Sequence, residues 1–75
     1  MTRLPMSKNE LLSHRGTVFV IDERRNIVKI TVDSSFDVGP WVYVCPKDGP
    51  GYHSDRNRFF KNYWDARRWL GKYMS

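Results

Sequence analysis

The stretch Ile27-Val28-Lys29-Ile30-Thr31-Val32-Asp33 alternates without a break: Val28, Ile30 and Val32 fall on one face, Ile27, Lys29 and Thr31 on the other. Just before it, Thr17 to Asp22 is a β-branched and aromatic run, and Glu23-Arg24-Arg25-Asn26 between them is a polar turn. Two such runs joined by a short polar turn make an antiparallel hairpin. A hairpin alone is marginal in water, so the remaining residues must supply further strands or a helix to cover it. The first strand is apolar on both faces, which places it centrally or under cover.

The flanking segments meet that requirement. Ser7-Lys8-Asn9-Glu10 is a capping box, with Met6 and Leu11 at the spacing of a hydrophobic staple. Gly16 follows as a stop, so a helix is expected from about Lys8 to His14, docked through Leu11 and Leu12. Asp33 to Pro40 reads as a loop. Trp41 to Cys45 reads as a third strand, with Val42 and Val44 on one face and Trp41, Tyr43 and Cys45 on the other. Residues 46–57 form a long Gly- and Pro-rich loop, the kind that is mobile or functional. Arg58-Phe59-Phe60 fits a short closing strand. Asn62 caps a last helix over about Tyr63 to Met74, with Tyr63, Ala66, Trp69, Leu70, Tyr73 and Met74 on a packing stripe. Trp64, Asp65, Arg67, Arg68, Gly71 and Lys72 lie opposite. The class is α+β: a short N-terminal helix, an antiparallel sheet of three to four strands, and a C-terminal helix across one sheet face.

Seventy-five residues make one domain, 1–75, with residues 1–6 a flexible leader. Such a chain has room for a small core and a binding face but little for a buried catalytic pocket. The 15% aromatic share helps a core this small bury enough area. No apolar run approaches the ~20 residues of a membrane span, and no hydrophobic stretch follows the first residues as in a signal peptide. The lone Cys45 excludes an internal disulfide framework. Together these point to a cytoplasmic protein with no membrane partner, and the monomer is favoured.

The charge is unevenly placed. Up to residue 55 acids and bases cancel, whereas the last twenty residues set Arg56, Arg58, Lys61, Arg67, Arg68 and Lys72 against Asp65 alone and carry the whole net charge of +5. A cationic, aromatic segment on a neutral body suggests a surface for a negative partner. Catalysis is poorly provided for. Cys45 before Pro46 reads as a small buried hydrophobe. His53 with Asp48 and Asp55 lacks the three or four fixed ligands of a metal site. Gly49-Pro50-Gly51 lacks the helix and lysine of a phosphate loop. The chain is expected to be no enzyme and to need no cofactor or metal.

Three surfaces remain. The helix face with Trp64, Arg67, Arg68 and Lys72, with Lys61 at its start, pairs the two residue types most enriched at interface hot spots. Loop 46–57 adds Arg56 and Arg58. The third is a sheet face. If Val28, Ile30, Val32, Val42 and Val44 receive the C-terminal helix, then Trp41, Tyr43, Lys29, Thr31 and Phe19 lie on the other side. That side is either open, where aromatics with basic neighbours stack bases, or covered by the N-terminal helix as a second small core.

Phe60, Asn62, Ala66 and Leu70 sit where a strand hands off to a packed helix. Over about eleven residues this junction resembles that of three-stranded-sheet-plus-helix DNA-binding domains, the plant AP2-type domains and the arm-binding domains of tyrosine recombinases. That resemblance implies DNA reading from sheet arginines and tryptophans, here Arg24, Arg25, Lys29 and Trp41, although most of the charge sits on the helix. In type, the chain also resembles small phage proteins that block or redirect host transcription or inactivate host defence nucleases. This likeness implies a regulator that docks on an acidic surface of a nucleic-acid-handling complex, such as RNA polymerase or a CRISPR-type effector. The alternative is direct DNA or RNA binding, with the basic residues on phosphates and Trp41 or Tyr43 near bases.

Overall fold

The computed structural model describes residues 4–74. The chain forms α1 (Lys8–Ser13), β1 (Gly16–Ile21), β2 (Ile27–Val38), β3 (Trp41–Pro46), β4 (Tyr52–His53), β5 (Arg58–Phe60) and α2 (Tyr63–Trp69), which runs on as one π-helical stretch over Leu70–Met74. All strand pairs are antiparallel, in the order β4-β3-β2-β1-β5. The class is α+β, with five strands rather than three to four.

The capping box forms: Ser7 Oγ accepts the Glu10 N–H, and the Glu10 carboxylate accepts the Ser7 N–H. The helix ends at Ser13 with an extended His14 as its cap, so Gly16 is not its stop but the first residue of β1. Leu11 is buried, with Met6 packed against the same cluster. Of the 1–6 leader, residues 1–3 lie outside the described residues. Pro5 and Met6 are half-buried, and the Met6 N–H donates to the Phe59 carbonyl along β5.

In the β1–β2 turn, Asp22 Oδ1 accepts the amides of Arg24 and Asn26, and Arg25 takes a left-handed backbone at φ 66°. The expected loop 33–40 is instead the second half of β2. A bulge between Val32 and Ser34 inserts an extra residue and reverses the facing of everything after it. Ile30 and Val32 point into the core, and beyond the bulge Ser35 and Asp37 take that side. Ser35 Oγ donates to the Leu12 carbonyl, and Lys8 pairs with Asp37 at 2.9 Å. Phe36 and Val38 are turned outward. The strand looks like a loop in sequence because its inward residues meet the rim of α1 and are polar. The 46–57 loop also contains a strand, β4, held to β3 through Tyr43–His53 and Val44–Tyr52 and extended by paired bonds between Val42 and Ser54.

Two hydrophobic clusters lie on opposite faces of the sheet. Val18, Val20, Ile30, Val32, Val42, Val44 and Phe59 pack beneath α1 with Leu11. Ile21, Phe60 and Ala66 pack beneath α2, with Phe19, Ile27, Trp69, Leu70 and Met74 around them. The assignment of the valine face to the C-terminal helix is therefore reversed: α1 takes that face, and α2 covers Phe19's side of β1 and β5. β1 is covered on both faces, as its composition requires. Among the described residues no helix is long and apolar enough to cross a membrane.

Candidate interaction surface

α2 starts where β5 ends. The Asn62 side chain accepts the Asp65 amide at 2.9 Å and fixes the first turn. Ala66, fully buried, seats the helix on Ile21 and Phe60. With Ala66 inward, the side of the helix carrying Trp64, Arg67 and Arg68 must face solvent. Trp64 is 64% exposed, and both arginines are exposed. Lys72 is exposed as well, its ammonium 5.3 Å from the Tyr73 ring centre. Arg67, Arg68 and Lys72 form no ion pair among the described residues.

Trp64 is held from below. Its ring meets Tyr63 edge-on at 5.3 Å, and Tyr63 meets Phe19 of the sheet edge-on at 6.0 Å. Aromatic pairs in this arrangement contribute beyond their buried area. This chain of rings limits the freedom of an exposed indole, which lowers the cost of fixing it against a partner. Tyr63 and Tyr73, expected on the packing stripe, stand at its margin: each touches a ring of the α2 cluster, Phe19 and Trp69 respectively, yet stays exposed. Lys29 stands opposite Phe19 in the β1–β2 register and adds an exposed cation nearby.

Asp65 departs from the expected solvated face. It is buried, and it borders a groove with Leu4, Pro5 and Met6. Helical periodicity does not register this burial.

The other three cations of the C-terminal group do not join Trp64. Lys61 pairs with Glu10 at 3.0 Å and ties α1 to the start of α2. The Glu10 carboxyl lies below its usual pKa, first because of the Ser7 N–H and then because of Lys61. Arg56 faces Glu23 at 3.6 Å across the β1–β2 turn. Arg58 is half-buried, its guanidinium turned to the carbonyls of Ser54, Asp55 and Asn57. Of the cations named from sequence, the geometry brings Arg67, Arg68 and Lys72 into one group with Trp64. It uses Lys61 and Arg58 to hold the fold.

The residues proposed for base reading are scattered. Arg24 and Arg25 are exposed at the β1–β2 turn, and Lys29 is in the first half of β2. Tyr43 lies on β3, two strands from β1. Trp41, opposite Val38, borders a groove with Pro5, Met6 and Leu11. In the 46–57 segment, His53 Nδ1 accepts the Asp55 amide at 3.1 Å. Among the described residues no three His, Cys, Asp or Glu side chains converge as metal ligands would. Cys45 is half-buried at the end of β3.

No family model matches the chain, no curated protein matches its sequence, and no solved structure matches its fold. The chemistry of the surface is what describes a partner.

Proposed function

We propose that this chain is a small binding protein without catalysis of its own, and that it docks through the solvent side of α2 onto an acidic protein surface. Trp64 supplies the affinity and Arg67, Arg68 and Lys72 steer the encounter. The partner class is a nucleic-acid-handling complex, such as RNA polymerase or a CRISPR-type effector, which the docked chain obstructs or redirects. The observation that carries the reading is Trp64, 64% exposed beside two arginines that form no ion pair among the described residues. A large indole in water is costly unless a partner covers it, and tryptophan and arginine dominate interface hot spots. Cations around it raise the association rate more than the affinity.

The test is affinity capture from an extract of the cells that make the chain. Wild type is run beside Trp64→Ala and Arg67→Glu/Arg68→Glu. The expected result is one protein species retained at about 200 mM salt by the wild type, lost with Trp64→Ala, and captured more slowly with the double charge reversal. Capture of nucleic acid alone, with a steep salt dependence, would replace the docking reading by direct phosphate binding.

A further inference from the structure

The two edge strands of the sheet, β4 and β5, are joined by residues 54–57 alone. In a flat sheet five strands wide they would stand about 19 Å apart. The link is folded into a turn, with the Asn57 N–H donating to the His53 carbonyl at 3.2 Å, and it reaches far less. The sheet therefore curls, and a groove of about 300 Å³ lies where its edges approach. Trp41 of β3 and Phe59 of β5 line it together, although two strands separate β3 from β5 in the sheet. Met6 and Trp69 extend its apolar wall. Trp41 is 41% exposed and meets no other ring among the described residues.

The charge of the groove is one-sided. Lys8 and Arg58 line it, and among the described residues no Asp or Glu does. The Lys8 ammonium is already matched by Asp37 at 2.9 Å. Arg58 is matched by no carboxylate among the described residues. It is half-buried and touches the carbonyls of Ser54, Asp55 and Asn57 through Nη1 alone, at 3.4, 3.5 and 3.4 Å. Its Nε and Nη2 make no hydrogen bond among the described residues. Ser54 and Asn57 line the groove with it, which sets the guanidinium end of the side chain at the groove wall. A guanidinium drawn partly out of water is stabilised by an anion, and a carboxylate fits two of its N–H groups side by side.

We infer that this groove binds a small aromatic carboxylate, its ring against Trp41 and Trp69 and its carboxylate on Arg58. The volume stands at the lower end of small-molecule sites, which run from about 300 to 1,000 Å³, and so limits the guest to about one or two rings. A carboxylate carries one charge and a phosphate monoester close to two. The second charge costs more to bring against an apolar wall, and one unmatched arginine does not balance it. The inference uses none of the residues of the proposed docking face, Trp64, Arg67, Arg68 and Lys72, so the two readings fail separately.

The test is a titration of the isotope-labelled full chain with 2-naphthylacetate and, separately, with 2-naphthylacetamide, which keeps the rings and removes the charge. The indole N–H signals of Trp41, Trp64 and Trp69 report the site. Saturable shifts of Trp41 and Trp69 are expected with the acid, with Trp64 unmoved, and the amide is expected to bind about tenfold more weakly. Arg58→Gln, which keeps a donor for the turn, should bring the acid down to the affinity of the amide. Trp41→Leu, at an exposed site, is expected to melt as the wild type does and to weaken both ligands about tenfold. Should Arg58→Gln unfold, the comparison of acid with amide on the wild type and on Trp41→Leu still decides. No saturable shift, equal affinity for acid and amide, an acid preference that survives Arg58→Gln, or shifts centred on Trp64 would each overturn the inference. Tighter binding of 2-naphthyl phosphate than of the acid would overturn it as well, and would make the groove a phosphate site.

Discussion

α2 carries two tryptophans five residues apart, and the structure gives them opposite roles. Trp69 is half-buried over Phe60 at 6.0 Å and Tyr73 at 4.3 Å, in the cluster that seats the helix. Truncating a fully buried Trp to Ala costs about 3–5 kcal/mol, so a half-buried one should cost about 2 kcal/mol. A chain of this length is stable by roughly 4–11 kcal/mol in total. At about 4–8 °C per kcal/mol for a domain this small, Trp69→Ala should lower the melting temperature by about 8–16 °C. Trp64→Ala removes a ring that is mostly in water, a change worth within about 0.5 kcal/mol, or under about 4 °C. Thermal melts followed by far-ultraviolet circular dichroism separate the two. Partner capture should invert the order: Trp64→Ala loses it, whereas Trp69→Phe, which keeps an aromatic ring, retains it. A Trp64→Ala variant that melts as low as Trp69→Ala would show that Trp64 is a packing residue, and the argument for the α2 surface would fail.

Three further outcomes follow from local geometry. Arg25→Gly relieves a left-handed backbone at φ 66° and should raise stability by up to about 1 kcal/mol, seen as a higher denaturant midpoint at unchanged slope. Ser7→Ala removes the cap that receives the Glu10 amide and should cost about 1 kcal/mol by the same assay. Glu10 has a lowered folded pKa. Its stabilising contribution is therefore fully present above the unfolded carboxylate pKa and is lost as pH falls through the folded value. Urea titrations across the acid range should show wild type losing more stability than Glu10→Gln, and equal losses would contradict the pairing with Ser7 and Lys61.

What the sequence made legible depended on whether a feature was local. The capping box, the β1–β2 hairpin and the Asn62 cap each need only residues a few positions apart, and each formed. The second half of β2 was hidden because its inward residues, Ser35 and Asp37, are polar, and because the bulge breaks the link between parity and face. Val32, Ser34, Phe36 and Val38 share a parity, yet the bulge after Val32 puts Phe36 and Val38 on the opposite face. β4 was hidden because two residues carry no period. Alternation divides a sheet into two faces but does not say which helix covers which, and that is where the assignment reversed. The exposure of Trp64 followed from helical spacing alone. The burial of Asp65 did not, because the groove it borders is shared with Leu4, Pro5 and Met6, about sixty residues away in sequence. The engagement of Lys61 by Glu10 and of Arg56 by Glu23 likewise depends on partners that only the folded chain brings close.

The most direct measurement of the central claim is an amide chemical-shift map of isotope-labelled chain as the captured partner is added, at about 50 and about 200 mM salt. The docking account predicts shifts concentrated at Trp64, Arg67, Arg68 and Lys72 that persist at the higher salt, with Phe36 and Tyr43 unmoved. Shifts centred elsewhere on the chain, or shifts at α2 that vanish at the higher salt, would contradict it.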